Sequence, residues 1–196
     1  MYKPIVLILG PSGVGKTTLL KKLCNLFPSL YSPIKPFTTR PLREKTDDRK
    51  YVSRRRFLRL VKTGKIITPN KVYGNFYGPS KYDILNILSQ NKIPISDWPV
   101  CKVKDFKKYF KNVISIYLLP PNLLTLKNRL NKDGRDKNKL RFNAALTELK
   151  ILKNNIYRKY IDATLINKRG ICKNALKLHS LISKICITKQ NVRKYN

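Results

Sequence analysis

The chain has 196 residues, 42% hydrophobic and 27% charged, enough to bury one sizeable core and unlike a disordered tail. Lys and Arg number 43 against 10 acids, a net charge of +33, and no apolar run nears the roughly 18 residues that span a bilayer. Four cysteines (Cys24, Cys101, Cys172, Cys186) without a CxxC spacing, and one histidine, His179, argue against zinc and against His-based nucleophilic or acid–base chemistry.

The charge has two readings. Such a field attracts polyanions, nucleic acid among them. Yet Lys, Ile, Asn, Tyr and Phe, all served by A/T-rich codons, make up 84 of the 196 residues, and lysine outnumbers arginine 30 to 13. Compositional drift is the default reading, and a nucleic-acid partner is the alternative.

Taken in chain order, Pro4–Leu9 is an apolar run suited to a strand buried on both faces of a parallel sheet. It also argues against a signal peptide, since a glycine-rich motif interrupts it at once, and the expected location is cytoplasmic. Leu19, Leu20, Leu23 and Leu26 recur at helical spacing until Pro28. Residues 32–80 have few apolar runs. Asp83–Leu88 reads as a helix, Ile93–Ile95 as a short strand, Val113–Leu119 as a strong strand and Leu123–Leu130 as a helix. Residues 131–139 read as a polar loop, Leu140–Tyr160 as one long helix and Ala163–Ile166 as the last strand. Ile171–Ile187 reads as a closing helix, and a frayed basic tail follows at 188–196. Strands alternating with helices predict an α/β fold with a mainly parallel sheet.

Gly10-Pro11-Ser12-Gly13-Val14-Gly15-Lys16-Thr17 fits GxxxxGK[ST] between a strand and a helix, the setting a phosphate-binding loop requires. Glycines let backbone N–H groups converge on phosphate oxygens, and the helix N-terminus adds partial positive charge. Lys16 is placed to reach the β and γ phosphates, and the Thr17 hydroxyl to ligate Mg²⁺. ATP or GTP use follows.

Three motifs stand in order: GPSGVGKTT at 10–18, TTRPLR at 38–43 and GNFYG at 74–78. Together they resemble guanylate kinase, a nucleoside monophosphate kinase whose pattern is GPSGxGKST, TTRxPR and GNYYG. Ile116–Leu130 is similar to that family's strand, double proline and helix, Asp97-Trp98 to its DIDWQG, and Leu165–Asn167 to its LIVND. The resemblance implies a three-layer P-loop kinase fold and Mg²⁺-dependent transfer of phosphate from ATP to GMP. It also implies one domain over 1–187: a core at 1–33, 81–128 and 142–187, a GMP-binding insertion at 34–80 and a lid at 129–141. Small nucleotides are the implied partners, with no membrane.

The implied roles map unevenly. ATP belongs to Gly10, Pro11, Ser12, Gly13, Val14, Gly15, Lys16, Thr17 and Thr18, with Asn167 near the adenine. Arg129, Arg135 and Arg141 correspond to lid and hinge arginines that clamp the transferred phosphoryl group beside Lys16. Arg40 and Arg43 match two arginines that hold the GMP phosphate, a task suited to guanidinium forks. Tyr77 matches a tyrosine on the same phosphate, and Tyr51 aligns with a second.

Base recognition departs from the family. Its guanine-reading glutamate is Thr68 here, and its Ser or Thr after the second Tyr-Gly is Pro79, with Ser80 adjacent. Asp97 completes the guanine pocket if two residues are deleted before it; an ungapped count puts Pro99 there instead. The run Arg54-Arg55-Arg56 stands where the family has an acidic helix. It reads as a solvated face, with RNA contact as the alternative. Three rival functions remain: a kinase with relaxed base choice, a non-catalytic binding module of the same fold, and an RNA-binding P-loop ATPase.

Overall fold

Every side chain of β1 (Ile5–Leu9) is buried. Val6 and Ile8 point into one apolar cluster, and Ile5, Leu7 and Leu9 into another. A strand covered on both faces must lie in the middle of a layered fold. The computed structural model, which describes residues 3–41, 49–132, 134, 139–153 and 155–194, has this arrangement.

Five parallel strands run in the order β2-β7-β1-β8-β9: β2 (Tyr31–Pro33), β7 (Ile93–Asp97), β8 (Val113–Leu119) and β9 (Ala163–Ile166) surround β1. One face is covered by α1 (Lys16–Leu26) and α8 (Ile171–Lys194), through Leu19, Leu20 and Leu23 and through Ala175, Leu178 and Ile182. The other is covered by α3 (Lys81–Ser89) and α4 (Val103–Tyr109), through Ile84 and Ile87 and through Val103 and Phe106. The expected three-layer α/β core with a parallel sheet is present. His179 has a packing role: its ring stacks on Phe27 at 4.1 Å and its Nδ1 lies 3.0 Å from the Tyr31 hydroxyl.

Residues 37–78 build a second, smaller sheet in the order β4-β3-β6-β5: β3 (Phe37–Thr38), β4 (Lys50–Tyr51), β5 (Asn70–Val72) and β6 (Asn75–Gly78). On it lies α2 (Arg54–Lys62), held by Phe57, which packs with Val52 and Ile66 and stacks on Phe76 at 5.6 Å. Ser53 caps this helix by accepting from the Arg56 N–H at 3.3 Å. Three arginines fill its first turn, where the helix dipole favours carboxylates, a mismatch of about 0.3–1 kcal/mol per charge.

The structure departs from the sequence reading at four places. Helix α4 was not anticipated, because its apolar positions, Val103 and Phe106, are only two among lysines. Helix α5 (Leu123–Lys132) runs two residues into the expected polar loop. Leu140–Tyr160 is helical as read over α6 (Leu140–Lys153) and α7 (Asn155–Arg158), with Asn154 outside the described residues, but the helix ends at Arg158, two residues short, and Tyr157, Tyr160 and Ile161 pack against the core. The last helix does not fray after Ile187 but continues to Lys194.

That extension has a cause. Lys189 of α8 reaches Asp162 at 2.6 Å and the Val113 carbonyl at 3.1 Å. Asp162 also accepts from the backbone N–H of Ser115 at 2.8 Å and from its hydroxyl at 2.9 Å. Burial by itself would raise the Asp162 carboxyl. The bonds from Lys189 and Ser115 and the charge of Lys107 outweigh it and hold the carboxyl below its ordinary value.

Asp162→Asn is expected to lose about 1.5–3 kcal/mol at pH 7, the range for hydrogen bonds to charged groups. For a chain of this size that lowers Tm by about 3–12 °C. A depressed folded-state pKa stabilises fully above the unfolded value, and the benefit is lost as pH falls through the folded one. The gap between the two melting curves should therefore hold from pH 7 to about pH 4 and narrow from there to about pH 2, below the ordinary aspartate value of 3.8. A gap that stays constant over that range would remove the charge from the explanation.

Candidate active site

Between β1 and α1 the backbone turns over the carboxyl end of the sheet, where β1 lies between β7 and β8, the end at which parallel α/β sheets bind ligands. Two glycines make the turn possible. Gly10 has φ +130°, and a Cβ there would stand 2.6 Å from the Leu118 carbonyl oxygen. Gly15, before the first turn of α1, has φ +97°, and its Cβ would stand 2.6 Å from Asn167 Nδ2. Side chains are excluded at both places by conformation and by space.

The Lys16 ammonium lies inside the loop and donates to Gly10 O at 2.6 Å and Pro11 O at 3.0 Å. Burial pulls its pKa down and Arg141 adds to that, while the carboxylates of Asp97 and Glu148 act to keep it charged. Thr17 and Thr18 begin α1 with exposed side chains.

Val14 O is the best-anchored atom of the loop. It accepts from Asn167 Nδ2 at 2.7 Å and from Arg129 Nη1 at 3.1 Å. Arg129 Nη2 also donates to Asn167 O at 3.1 Å. The Asn167 amide is itself fixed by Asn174, whose Nδ2 donates to Asn167 Oδ1 at 2.8 Å and to Lys168 O at 2.8 Å. Asn167 and Arg129, expected at the adenine and the phosphoryl group, thus use these bonds to brace the phosphate loop. Ser12 is held from α6, where Arg141 Nη2 donates to Ser12 Oγ at 2.6 Å.

Seven residues beyond Arg141, two helical turns along α6, Glu148 accepts from the wholly buried Tyr117 hydroxyl at 3.3 Å. Burial raises the Glu148 carboxyl, opposed by Lys16 and by the bond from Tyr117. Glu148, Tyr117 and Asn174 were not singled out from the sequence. The spacing of Glu148 from Arg141 on one helix was the available signal for the first; nothing marked the other two.

The smaller sheet gathers the residues expected to hold the second nucleotide. Register pairs Thr38 with Tyr51 on one side and with Tyr77 on the other, and Tyr77 with Asn70. Paired residues share a face, so Tyr51, Thr38 and Tyr77 form one row across the sheet. Arg40 follows directly; its N–H donates to Thr38 Oγ1 at 3.0 Å. The Thr39 hydroxyl accepts from Phe76 N–H at 2.9 Å, tying this segment to β6. Phe76 points to the opposite face, toward α2. Arg43 and Arg135 lie outside the described residues.

Thr68 is buried at 3% exposure with φ +45°, an uncommon conformation for a β-branched residue, and its Oγ1 has no partner among the described residues. The Ile66–Ser80 bridge and the bond from Ile67 N–H to Pro79 O set it beside the end of β6. Ser80 Oγ caps α3 by accepting from Asp83 N–H at 3.1 Å, which leaves the Ser80 hydroxyl proton to donate elsewhere. Asp97 ends β7 in register with Ile8, near the end of β1, and its carboxylate acts to keep Lys16 charged.

A family model described as guanylate kinase matches residues 1–182. The chain belongs to the guanylate kinase family. Among curated relatives, a guanylate kinase of Rickettsia prowazekii (strain Madrid E) is 33% identical over 150 residues, covering 74% of this chain and 76% of its own. One of Clostridium tetani (strain Massachusetts / E88) is 32% identical over 173 residues, covering 84% and 78%. The crystal structure of guanylate kinase from Anaplasma phagocytophilum superposes with a TM-score of 0.69 at 22% identity, over 93% of this chain and 86% of that one, and so supports the fold. ATP-dependent phosphorylation of GMP to GDP is the activity this membership carries.

Asn167→Ala is expected to leave Val14 O held by Arg129 alone and to leave one N–H of the buried Asn174 amide without its acceptor, the other still donating to Lys168 O. About 1–3 kcal/mol of stability should go, the cost of an unsatisfied buried polar group, together with ATP affinity. Denaturant unfolding and ATP titration of the variant check this. Unchanged ATP affinity would mean that the brace does not shape the loop.

Proposed function

We propose that this chain transfers the γ-phosphoryl group of ATP to the phosphate of GMP with the following division of labour. ATP lies on the loop Gly10–Thr18, with its phosphates against the loop N–H groups, the α1 N-terminus and Lys16. GMP lies on the smaller sheet, its phosphate held by Arg40, Arg43, Tyr51 and Tyr77. A GMP phosphate oxygen attacks the γ phosphorus, the bond from that phosphorus to the β-phosphate oxygen breaks, and ADP leaves with the electron pair. Arg141 and Arg135, from the segment before and within α6, close over the transferring group and offset its spread negative charge, and Arg129 holds the loop beneath it. The observation that carries this reading is the ordered row Tyr51, Thr38, Tyr77 beside Arg40, on a sheet separate from the phosphate loop.

Mg²⁺ fits the donors present. The exposed Thr17 hydroxyl and the Asp97 carboxylate are hard oxygen groups near Lys16, and Mg²⁺ commonly takes few protein ligands beside substrate phosphates. When bound, it neutralises charge between the β and γ phosphates. Among the described residues no helix is long and apolar enough to cross a membrane, and all four cysteines are free thiols, which supports a reducing, cytoplasmic setting.

The base pocket supports weaker discrimination than the full family pattern. In place of a charged acceptor it has the Thr68 hydroxyl, short in reach and itself unpartnered, with the Ser80 hydroxyl nearby.

Lys16→Met is expected to abolish phosphoryl transfer and leave the melting temperature near wild type. A coupled ADP-release assay and a thermal melt measure the two quantities, and wild-type turnover would overturn the loop assignment. Thr68→Glu is expected to raise the GMP:AMP ratio of kcat/KM by about 10–100-fold, because a charge-assisted hydrogen bond is worth about 1.5–3 kcal/mol. The same assay with GMP and AMP at fixed salt reads the ratio. A wild type that already rejects AMP by more than about 10⁴-fold, within reach of a hydrogen-bonding pocket, would show that base recognition is intact.

A further inference from the structure

Helix α2 carries five cations in nine residues, Arg54, Arg55, Arg56, Arg59 and Lys62, and every one is exposed. No carboxylate among the described residues pairs with any of them, whereas the carboxylates of Asp83, Asp105 and Asp162 are each engaged by lysines elsewhere. Arg55, Arg59 and Lys62 follow one another at i, i+4 and i+7, so they form a stripe along one side of the helix, with Arg56 one turn before Arg59. Like charges at these spacings repel, and three of the arginines sit at the dipole's positive end. The arrangement is unfavourable to the isolated helix and favourable to a polyanion lying along it.

Drift in composition does not account for the choice of residue. Lysine outnumbers arginine 30 to 13 in the chain, yet α2 has four arginines and one lysine. Arginine is the side chain whose planar fork grips phosphate by two bonds at once.

The surface is also separate from the mononucleotide site. Phe76 faces α2 and Tyr77, the next residue on β6, faces the row with Thr38 and Tyr51, so the two surfaces lie on opposite sides of the small sheet. Phe76 extends the cationic side onto the neighbouring hairpin: Arg54 lies over its ring at 5.6 Å and Lys71 of β5 at 5.8 Å. At the turn of that hairpin Tyr73 stands 58% exposed. Phosphate-gripping arginines and an exposed aromatic ring are two components of single-strand binding.

We propose that the solvent face of α2, with Lys71 and Tyr73 of the adjacent hairpin, binds the phosphate backbone of single-stranded nucleic acid, independently of the kinase reaction. Binding is non-specific in sequence, since nothing on the helix is positioned to read bases in a set order.

The test uses the full chain and fluorescence anisotropy with labelled 12-nucleotide oligouridylate and oligothymidylate, from 50 to 200 mM salt. Both should bind, with log K falling against log salt at a slope of about −0.7 per phosphate contact. The triple variant Arg55→Ser, Arg56→Ser, Arg59→Ser should weaken binding by about tenfold or more and flatten the slope by about 2. It should leave kcat and KM for GMP unchanged, which also certifies its fold. The control Lys173→Ser, Lys177→Ser, Lys184→Ser removes the same charge from exposed positions on α8 and should change binding less than threefold. Tyr73→Ala should weaken binding without changing the slope. Equal losses in the two triple variants would reduce the effect to the bulk field of the chain and overturn the proposal. So would α2-dependent binding to vesicles rich in phosphatidylglycerol with none to either oligonucleotide.

Discussion

The carbonyl of Val14 is where three distant segments of the chain converge. Asn167, after β9, and Arg129, on α5, both donate to it, and Asn174, on α8, fixes the amide that does so. A phosphate loop aims a set of backbone N–H groups at one point, so its peptide planes must not rotate. Holding one carbonyl from behind with two donors fixes the plane whose N–H faces forward. The glycine at position 15 follows from the same constraint, since a Cβ there would meet Asn167 Nδ2. Asn167 therefore has a structural role in the loop that it supports.

Charge is distributed unevenly in a chain with 43 cations and 10 acids. Each described carboxylate has a place. Asp162 joins β8, α4 and α8, Asp83 ties α3 to β4 through Lys50, and Asp105 steadies α4. Asp97 and Glu148 both act on Lys16. A buried lysine beside arginines would otherwise favour losing its proton, and the two carboxylates oppose that loss. The described acids thus stand at the phosphate loop and at junctions between elements, and none of them pairs with a cation of α2.

The phosphate loop, the central strands and the family were legible in the sequence because each is a local pattern. Val113–Leu119 was placed with the boundaries the structure has, since a strand covered on both faces is a plain apolar run, and Ala163–Ile166 likewise, although as the edge strand it alternates half-buried and exposed residues. Helix α4 was missed because two apolar residues do not make a period. The helix past Ile187 depends on Lys189 meeting Asp162, 27 positions earlier in the chain, which no window of sequence contains.

The sequence by itself determined the chemistry: a loop for phosphate, arginines for a second phosphate, no histidine or cysteine in a position to react, and a threonine where the family has a glutamate. Only the tertiary structure decided which of those groups are already bonded to the protein and to what. Arg129 and Asn167 donate to Val14 O, Arg141 reaches the loop through Ser12, and Tyr51 gains its place beside Tyr77 through the register of β3 between them. Motif spacing specifies residue types along the chain. The direction of a side chain, and whether its hydrogen bonds are already used, depends on neighbours brought in from 38 to 153 residues away.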